Sequence, residues 1–187
     1  RREQLDHPIF QESVRRIRAW LEPTGVYQGL SPLEQELVER LVHSSGDLEL
    51  PPQLAWTPQA CSLGGQALAE GAVILTDTAM AAAAVAPMAR RTFANPVHSI
   101  LEWAPAKVSL AKSASTRVLG STRSALGMAA ALESLAPSPL VVLIGSAPTA
   151  LERLLELVAA GACAPPALVI GMPVGFVGVQ ESKRHLG

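Results

Sequence analysis

Four histidines, two cysteines and a scatter of hydroxyls and carboxylates are the side chains of this 187-residue sequence with chemistry to offer. His43 has the most telling position. It follows LVERLV, whose apolar residues keep helical spacing, and Ser44-Ser45-Gly46-Asp47 breaks the helix directly behind it. The unpaired carbonyls and the dipole of a last helical turn favour a cation, which suits an imidazolium placed to donate a proton near neutral pH. Histidine at such a position is also a common stabilising residue with no further role, and spacing leaves both readings open. Asp47, just past the break, is placed to orient the ring or to neutralise it.

The other candidates sit where apolar runs end. Asp77 closes GAVILT, where its plain expectation is to cap the helix that follows. GSAPTAL (145–151) offers the hydroxyls of Ser146 and Thr149 between an apolar run and a helix start, with capping as the alternative role and the preferred one for Thr149. Arg123 falls in the first turn of a predicted helix, where the dipole disfavours a cation; it marks either an anionic partner or a solvated side chain. GMPVGFVG (171–178) is neither GxGxxG nor GxxxxGK[ST], so no nucleotide motif stands behind it. Gly171 and Gly175 let backbone approach a large flat ligand, and serve a tight strand-to-helix turn equally well. The helix after them offers free N–H groups to a carboxylate. His7, His98 and His185 share no spacing with carboxylates or cysteines, so no metal site is expected. Ser62, Ser121 and Ser124 lie outside any GxSxG elbow.

The elements that must position these residues alternate. Apolar runs at 71–76, 139–145 and 166–172 read as short buried strands, and 97–101 as a further one. Between them come a helix opened by Thr57-Pro58 and closed near Gly71, an alanine-rich helix ended by Pro87, a helix opened by Ser121, one ended by Gly161, and a last one in VQESKRHLG. Strand, helix, strand predicts a doubly wound parallel sheet, whose ligands bind outside the carboxyl ends of the strands. Ahead of it, Asp6-His7-Pro8 is expected to cap a helix over 9–21, and Ser31-Pro32-Leu33-Glu34 is a capping box for the helix that ends at His43.

Composition excludes several classes. Hydrophobic residues make up 49% and charged ones 17%, enough for a core, and aromatics only 4%. A net charge of −1 gives no electrostatic footprint for nucleic acid or anionic lipid. The uncharged stretch 157–179 is broken by Pro165-Pro166 and by glycines, so no membrane span is expected. Cys61 and Cys163 form no framework, and a reducing, cytoplasmic setting is the expectation.

Six segments taken together resemble one family. HPIFQESVRRIR (7–18), RLVHSSGD (40–47), ILTDTAM (74–80), STRSALGM (121–128), IGSAPTALERLLEL (144–157) and PALVIGMPVGFVGVQESK (166–183) fall in the order found in precorrin-8X methylmutases, including their cobalt-precorrin-8 counterparts. The GxPVGFVGxxESK pattern is the most specific of them. The resemblance implies one domain over 1–187, helical over roughly its first 50 residues, with a flavodoxin-like three-layer α/β/α fold and a mostly parallel sheet. It implies a homodimer with a tetrapyrrole substrate and no cofactor or catalytic metal. The reaction it implies moves a methyl group from C-11 to C-12 of precorrin-8X, formally a 1,5-sigmatropic shift, to give hydrogenobyrinate. The alternatives are a non-catalytic tetrapyrrole carrier of the same fold, or cobalt-precorrin-8 as the true substrate.

Residue by residue, the family's catalytic histidine falls on His43, its substrate-contacting serine on Ser13, its strand-tip aspartate on Asp77 and its TRS arginine on Arg123. Ser146 stands where the family usually has asparagine. Ser146, Gly171 and Gly175 complete the expected substrate contacts. Family members continue past ESK with a strand, a glycine-rich turn and a helix, so this sequence, ending at Gly187, is either trimmed there or lacks that element.

Overall fold

The structure, a computed structural model, describes residues 6–106, 122–175 and 177–187. The residues fall into two compact units, the first up to Cys61 and the second from Ser62 onward.

In the first unit, α1 (Pro8–Leu21) starts at His7, whose Nδ1 accepts the Ile9 N–H at 3.2 Å. Asp6 takes no part in that cap and pairs instead with Arg40 at 2.7 Å. Both bonds of the expected capping box open α2 (Pro32–Ser45): the Ser31 hydroxyl accepts the Glu34 N–H, and the Glu34 carboxylate accepts the Ser31 N–H at 2.7 Å. Gly46 then turns left-handed at φ +68° and returns its N–H to the Val42 carbonyl at 2.8 Å, which ends α2 two residues after His43.

Ile17 and Leu21 of α1 pack on Val38 and Val42 of α2. Glu39, which the apolar pattern does not mark, is buried at 1% exposure beside them. Arg18 forks onto both its oxygens at 2.7 and 2.9 Å, and the Tyr27 hydroxyl donates at 3.3 Å. A buried carboxylate is tolerated on such bidentate terms and costs several kcal/mol without them. Burial, with the charge of Glu39 and the hydrogen bond to it, pushes the Tyr27 phenol up to about 12.

The second unit is built on a parallel sheet of β1 (Val73–Thr76), β2 (Val97–Ser99), β3 (Leu140–Ile144) and β4 (Leu168–Gly171) in the order β2-β1-β3-β4. Around it run α3 (Ala60–Ala69, which begins at the unit boundary), α4 (Ala79–Arg91), α5 (Arg123–Leu135), α6 (Pro148–Ala159) and α7 (Val179–Leu186). Both faces of the sheet are covered, which is why its strands read as unbroken apolar runs. Val73, Leu75, Leu140, Val142 and Ile144 pack on Met128, Ala131 and Leu132 of α5 and on Ala150, Leu151 and Leu154 of α6. The alternate residues Val141, Leu143 and Leu168 pack on Ala67 and Leu68 of α3. These are the α/β/α layers of a doubly wound fold, and the strand order reverses between β1 and β3.

Three local expectations are corrected. The helix expected from Thr57-Pro58 begins at Ala60, because Gln59 takes φ +64° and interrupts it. Pro87 does not end α4, which runs on to Arg91. The proline removes one N–H from the ladder, and the carbonyl left over is that of exposed Ala83, open to water. The strand expected over 97–101 stops at Ser99, which caps a short 3₁₀ turn, Ile100–Glu102, and donates its N–H to Glu102 at 2.8 Å. Ser121, the expected opener of α5, lies outside the described residues; Thr122 caps that helix by accepting the Ala125 N–H at 3.2 Å. Among the described residues no helix is long and apolar enough to cross a membrane.

Candidate active site

The residues with chemistry to offer fall in both units, and each set has its own geometry. In the first, His43 lies exposed in the last turn of α2, and its Nδ1 is 2.8 Å from the hydroxyl of Ser13 on α1. When the ring is protonated, Nδ1–H donates to Ser13 and Nε2–H remains available to an acceptor. Among the described residues Ser13 is the hydrogen-bond partner of His43. Asp47 is not, which corrects its expected orienting role: its carboxylate accepts the Glu49 N–H at 2.8 Å and so serves its own turn. Glu12, beside Ser13 in the chain, is likewise engaged elsewhere. Hydrogen bonds from Arg15 and Arg16 hold its carboxyl down at about 2. The Phe10 ring meets the His43 ring edge-on, with centroids 4.7 Å apart.

In the second unit the strand tips meet around Asp77. Its side chain is 1% exposed, and Oδ2 accepts the backbone N–H groups of Gly145, Ser146 and Ala147 at 3.1, 2.6 and 2.8 Å. Asp77 therefore caps the wrong helix by sequence logic. The following helix α4 is capped by Thr78, whose hydroxyl accepts the Ala81 N–H, whereas Asp77 serves the entrance to α6, where Ala147 has no capping side chain. Its other oxygen, Oδ1, is buried without a partner among the described residues. The anion-binding position at the start of α6 is thus filled from within, which leaves the exposed hydroxyl of Ser146 as what that loop shows outward.

Thr149, expected as a cap, instead bonds the Thr122 hydroxyl at 2.9 Å and ties the start of α6 to the start of α5. That places Arg123, the first residue of α5, at the same edge of the sheet. Its Nε donates to the Pro105 carbonyl at 3.2 Å, and the side chain is exposed. Gly171 ends β4, and a side chain there would overlap Leu186 and press on Leu151. Its role on that side is to let α7 pack. Gly175 takes φ +140°, which side-chain-bearing residues rarely adopt, beside the 69%-exposed Val174. Phe176 lies outside the described residues. The structure brings Asp77, Ser146 and Arg123 to the carboxyl edge of the sheet, and Ser13 to His43.

His98 meets Glu102, four residues on, and His185 meets the distant Glu152, both at 2.9 Å, so the expectation that neither shares spacing with a carboxylate fails for His98. Among the described residues no group of three His, Cys, Asp or Glu could hold a metal ion.

Comparison with known proteins bears on what this arrangement is for. The family model for precorrin-8X methylmutase matches residues 8–187. The chain belongs to the precorrin-8X methylmutase family. Within it, the chain is 40% identical to the precorrin-8X methylmutase of Pseudomonas aeruginosa, across 95% of this chain and 79% of that one. It is 33% identical to the cobalt-precorrin-8 methylmutase of Synechocystis, across 97% and 82%. Among solved structures, the precorrin-8X methyl mutase of Thermus thermophilus superposes with a TM-score of 0.77 at 36% identity, covering 96% of this chain and 82% of that one.

Two features of this family member escaped sequence reasoning. The partners of Asp77 lie 68 to 70 residues away, and only its position at a strand tip hinted at them. Phe10 was legible as an apolar residue of α1 but not as a neighbour of His43. Replacing Asp77 by alanine leaves three N–H groups without their acceptor, so Asp77→Ala is expected to lose about 3 kcal/mol of stability in urea denaturation. A loss under about 1 kcal/mol would show that water satisfies those groups equally well.

Proposed function

We propose that this chain isomerises precorrin-8X to hydrogenobyrinate by moving a methyl group from C-11 to C-12, with His43 as the general acid. The observation that carries the reading is the 2.8 Å hydrogen bond between Nδ1 and the Ser13 hydroxyl, which leaves Nε2 of an exposed helix-end histidine as the nitrogen able to donate outward. Protonation of the macrocycle draws electron density from the migrating centre, the methyl group then shifts with its bonding pair within the same molecule, and a proton is returned. Substrate and product are isomers, so the step balances without an oxidant or reductant. One positioned acid is typically worth 10²–10⁴-fold, and the remainder comes from holding the macrocycle in a reactive geometry.

Ser13, expected to touch substrate, is assigned here to orienting His43. Arg123 and the Ser146 hydroxyl are assigned to the substrate's acetate and propionate groups, with Gly175 giving backbone room. Asp77, its Oδ2 already spent on three N–H groups, is assigned to holding the Ser146 loop. Gly171 is assigned to packing rather than to substrate.

The resemblance also carries a homodimer. Its support is the outward face of α4, where Met80 and Met88 are 76% and 45% exposed in line with exposed Ala83, Ala84 and Pro87. Sedimentation should give twice the chain mass, and Met80→Asp with Met88→Asp should halve it; a wild-type monomer at micromolar concentration contradicts the dimer.

The activity is tested by adding precorrin-8X, and in parallel cobalt-precorrin-8, to the purified protein. Conversion appears as the absorption spectrum of a corrin, and the faster of the two substrates decides whether cobalt is already present. His43→Ala should lose about 10²–10⁴-fold in rate yet still bind product. A spectrum that stays that of bound precursor favours the carrier reading, and full conversion by His43→Ala removes His43 from the mechanism.

A further inference from the structure

We infer that Phe10, seated by Arg40, is a positioning residue that sets the plane of the His43 imidazole; this rests on His43 being the proton donor. The argument begins with helical spacing. Residues three apart share a face, so α1 presents Phe10 with Ser13, and α2 presents Arg40 with His43. The two pairs engage each other. Ser13 holds Nδ1 at 2.8 Å, the Phe10 and His43 rings meet at 79° with centroids 4.7 Å apart, and the Arg40 guanidinium carbon lies over the Phe10 ring at 4.7 Å from its centroid.

Each contact removes a different freedom. A hydrogen bond at Nδ1 restrains the ring's rotation about the Cβ–Cγ bond only within the angular tolerance of that bond, and an exposed helix end adds little to narrow it. An edge-on aromatic neighbour fixes the plane. Together they fix where Nε2–H points, which is the quantity a proton donor needs. Phe10 is itself only partly buried, and the guanidinium over its face limits its rotation. Arg40 is in turn held on two sides. Asp6 accepts from Nη1 and Nη2 at 3.3 and 2.7 Å, and Glu36 accepts from Nε and Nη2 at 3.1 and 3.0 Å. These two carboxylates more than offset the arginine's single charge, so the ring is clamped without a bare cation one turn from His43. The order of dependence runs from Asp6 and Glu36 through Arg40 and Phe10 to the imidazole.

Losing an aromatic contact of this kind should reduce the donating orientation by about 2- to 10-fold. Phe10→Leu keeps an apolar side chain of similar reach and removes the ring; Phe10→Tyr restores the ring. The account expects kcat for precorrin-8X to fall about 2- to 10-fold in Phe10→Leu with KM within about 2-fold, and to return in Phe10→Tyr. In proton NMR, the His43 ring should show contacts to Phe10 and one sharp set of resonances, lost in Phe10→Leu. Arg40→Gln, which unseats the ring without removing it, should move both readouts the same way by a smaller factor, and serves if Phe10→Leu does not fold. Unchanged kcat in both variants, or a rise in KM alone, overturns the proposal. A folded wild-type chain that converts no precorrin-8X overturns the functional reading instead; the clamp is then decided by the imidazole resonances, and identical spectra in wild type and Phe10→Leu overturn it too.

Discussion

A parallel sheet covered on both faces leaves the edge where its strands end as the accessible part of that unit, and here a single buried carboxylate organises that edge. Asp77 stands at the tip of β1 and receives three backbone N–H groups from the loop that leaves β3. Burying a carboxylate is unfavourable by itself, and the three charge-assisted hydrogen bonds offset it. The consequence is structural and chemical together. The loop before α6 has no capping side chain of its own, so its conformation depends on a residue 68 positions earlier in the chain. Because the aspartate occupies the helix entrance, that edge shows outward the exposed side chains of Arg123 and Ser146 rather than bare amides.

The first unit reaches a defined geometry by a different route. Two helices carry His43 and its neighbours, and their relative register is held by a small apolar contact and by the buried Glu39 with Arg18 and Tyr27. That pairing has little tolerance for change, since removing Arg18 alone would strand a buried charge. The return for it is register: with α1 and α2 fixed, Ser13 falls opposite His43 and Phe10 opposite Arg40. The imidazole at this exposed helix end takes its contacts from neighbours on another helix, not from its own backbone.

What was legible in the sequence divides along physical lines. Signals that act within a few residues came through: the Ser31–Glu34 capping box, the left-handed Gly46 behind His43, and the apolar runs of β1, β3 and β4. Interactions between distant residues did not, because polar pairing across elements leaves no periodic trace. The apolar pattern of α2 does not mark Glu39, which is among the most buried side chains. Asp47 looked closer to His43 than Ser13, yet a neighbouring helix supplied the partner. Pro87 read as a helix end by the usual cost of its missing N–H, but the carbonyl it orphans is open to water. Family resemblance reached Ser13 and Asp77 by position, and the geometry then gave each of them a partner inside the protein.

The central claim is that Nε2 of His43, with Nδ1 held by Ser13, delivers the proton to the macrocycle. A crystal structure of the chain with hydrogenobyrinate bound tests it most directly. The account predicts Nε2 about 3 Å from an atom of the macrocycle, with the Ser13 hydroxyl still on Nδ1. A bound product with Nε2 facing solvent, or with His43 turned away from Ser13, would contradict it.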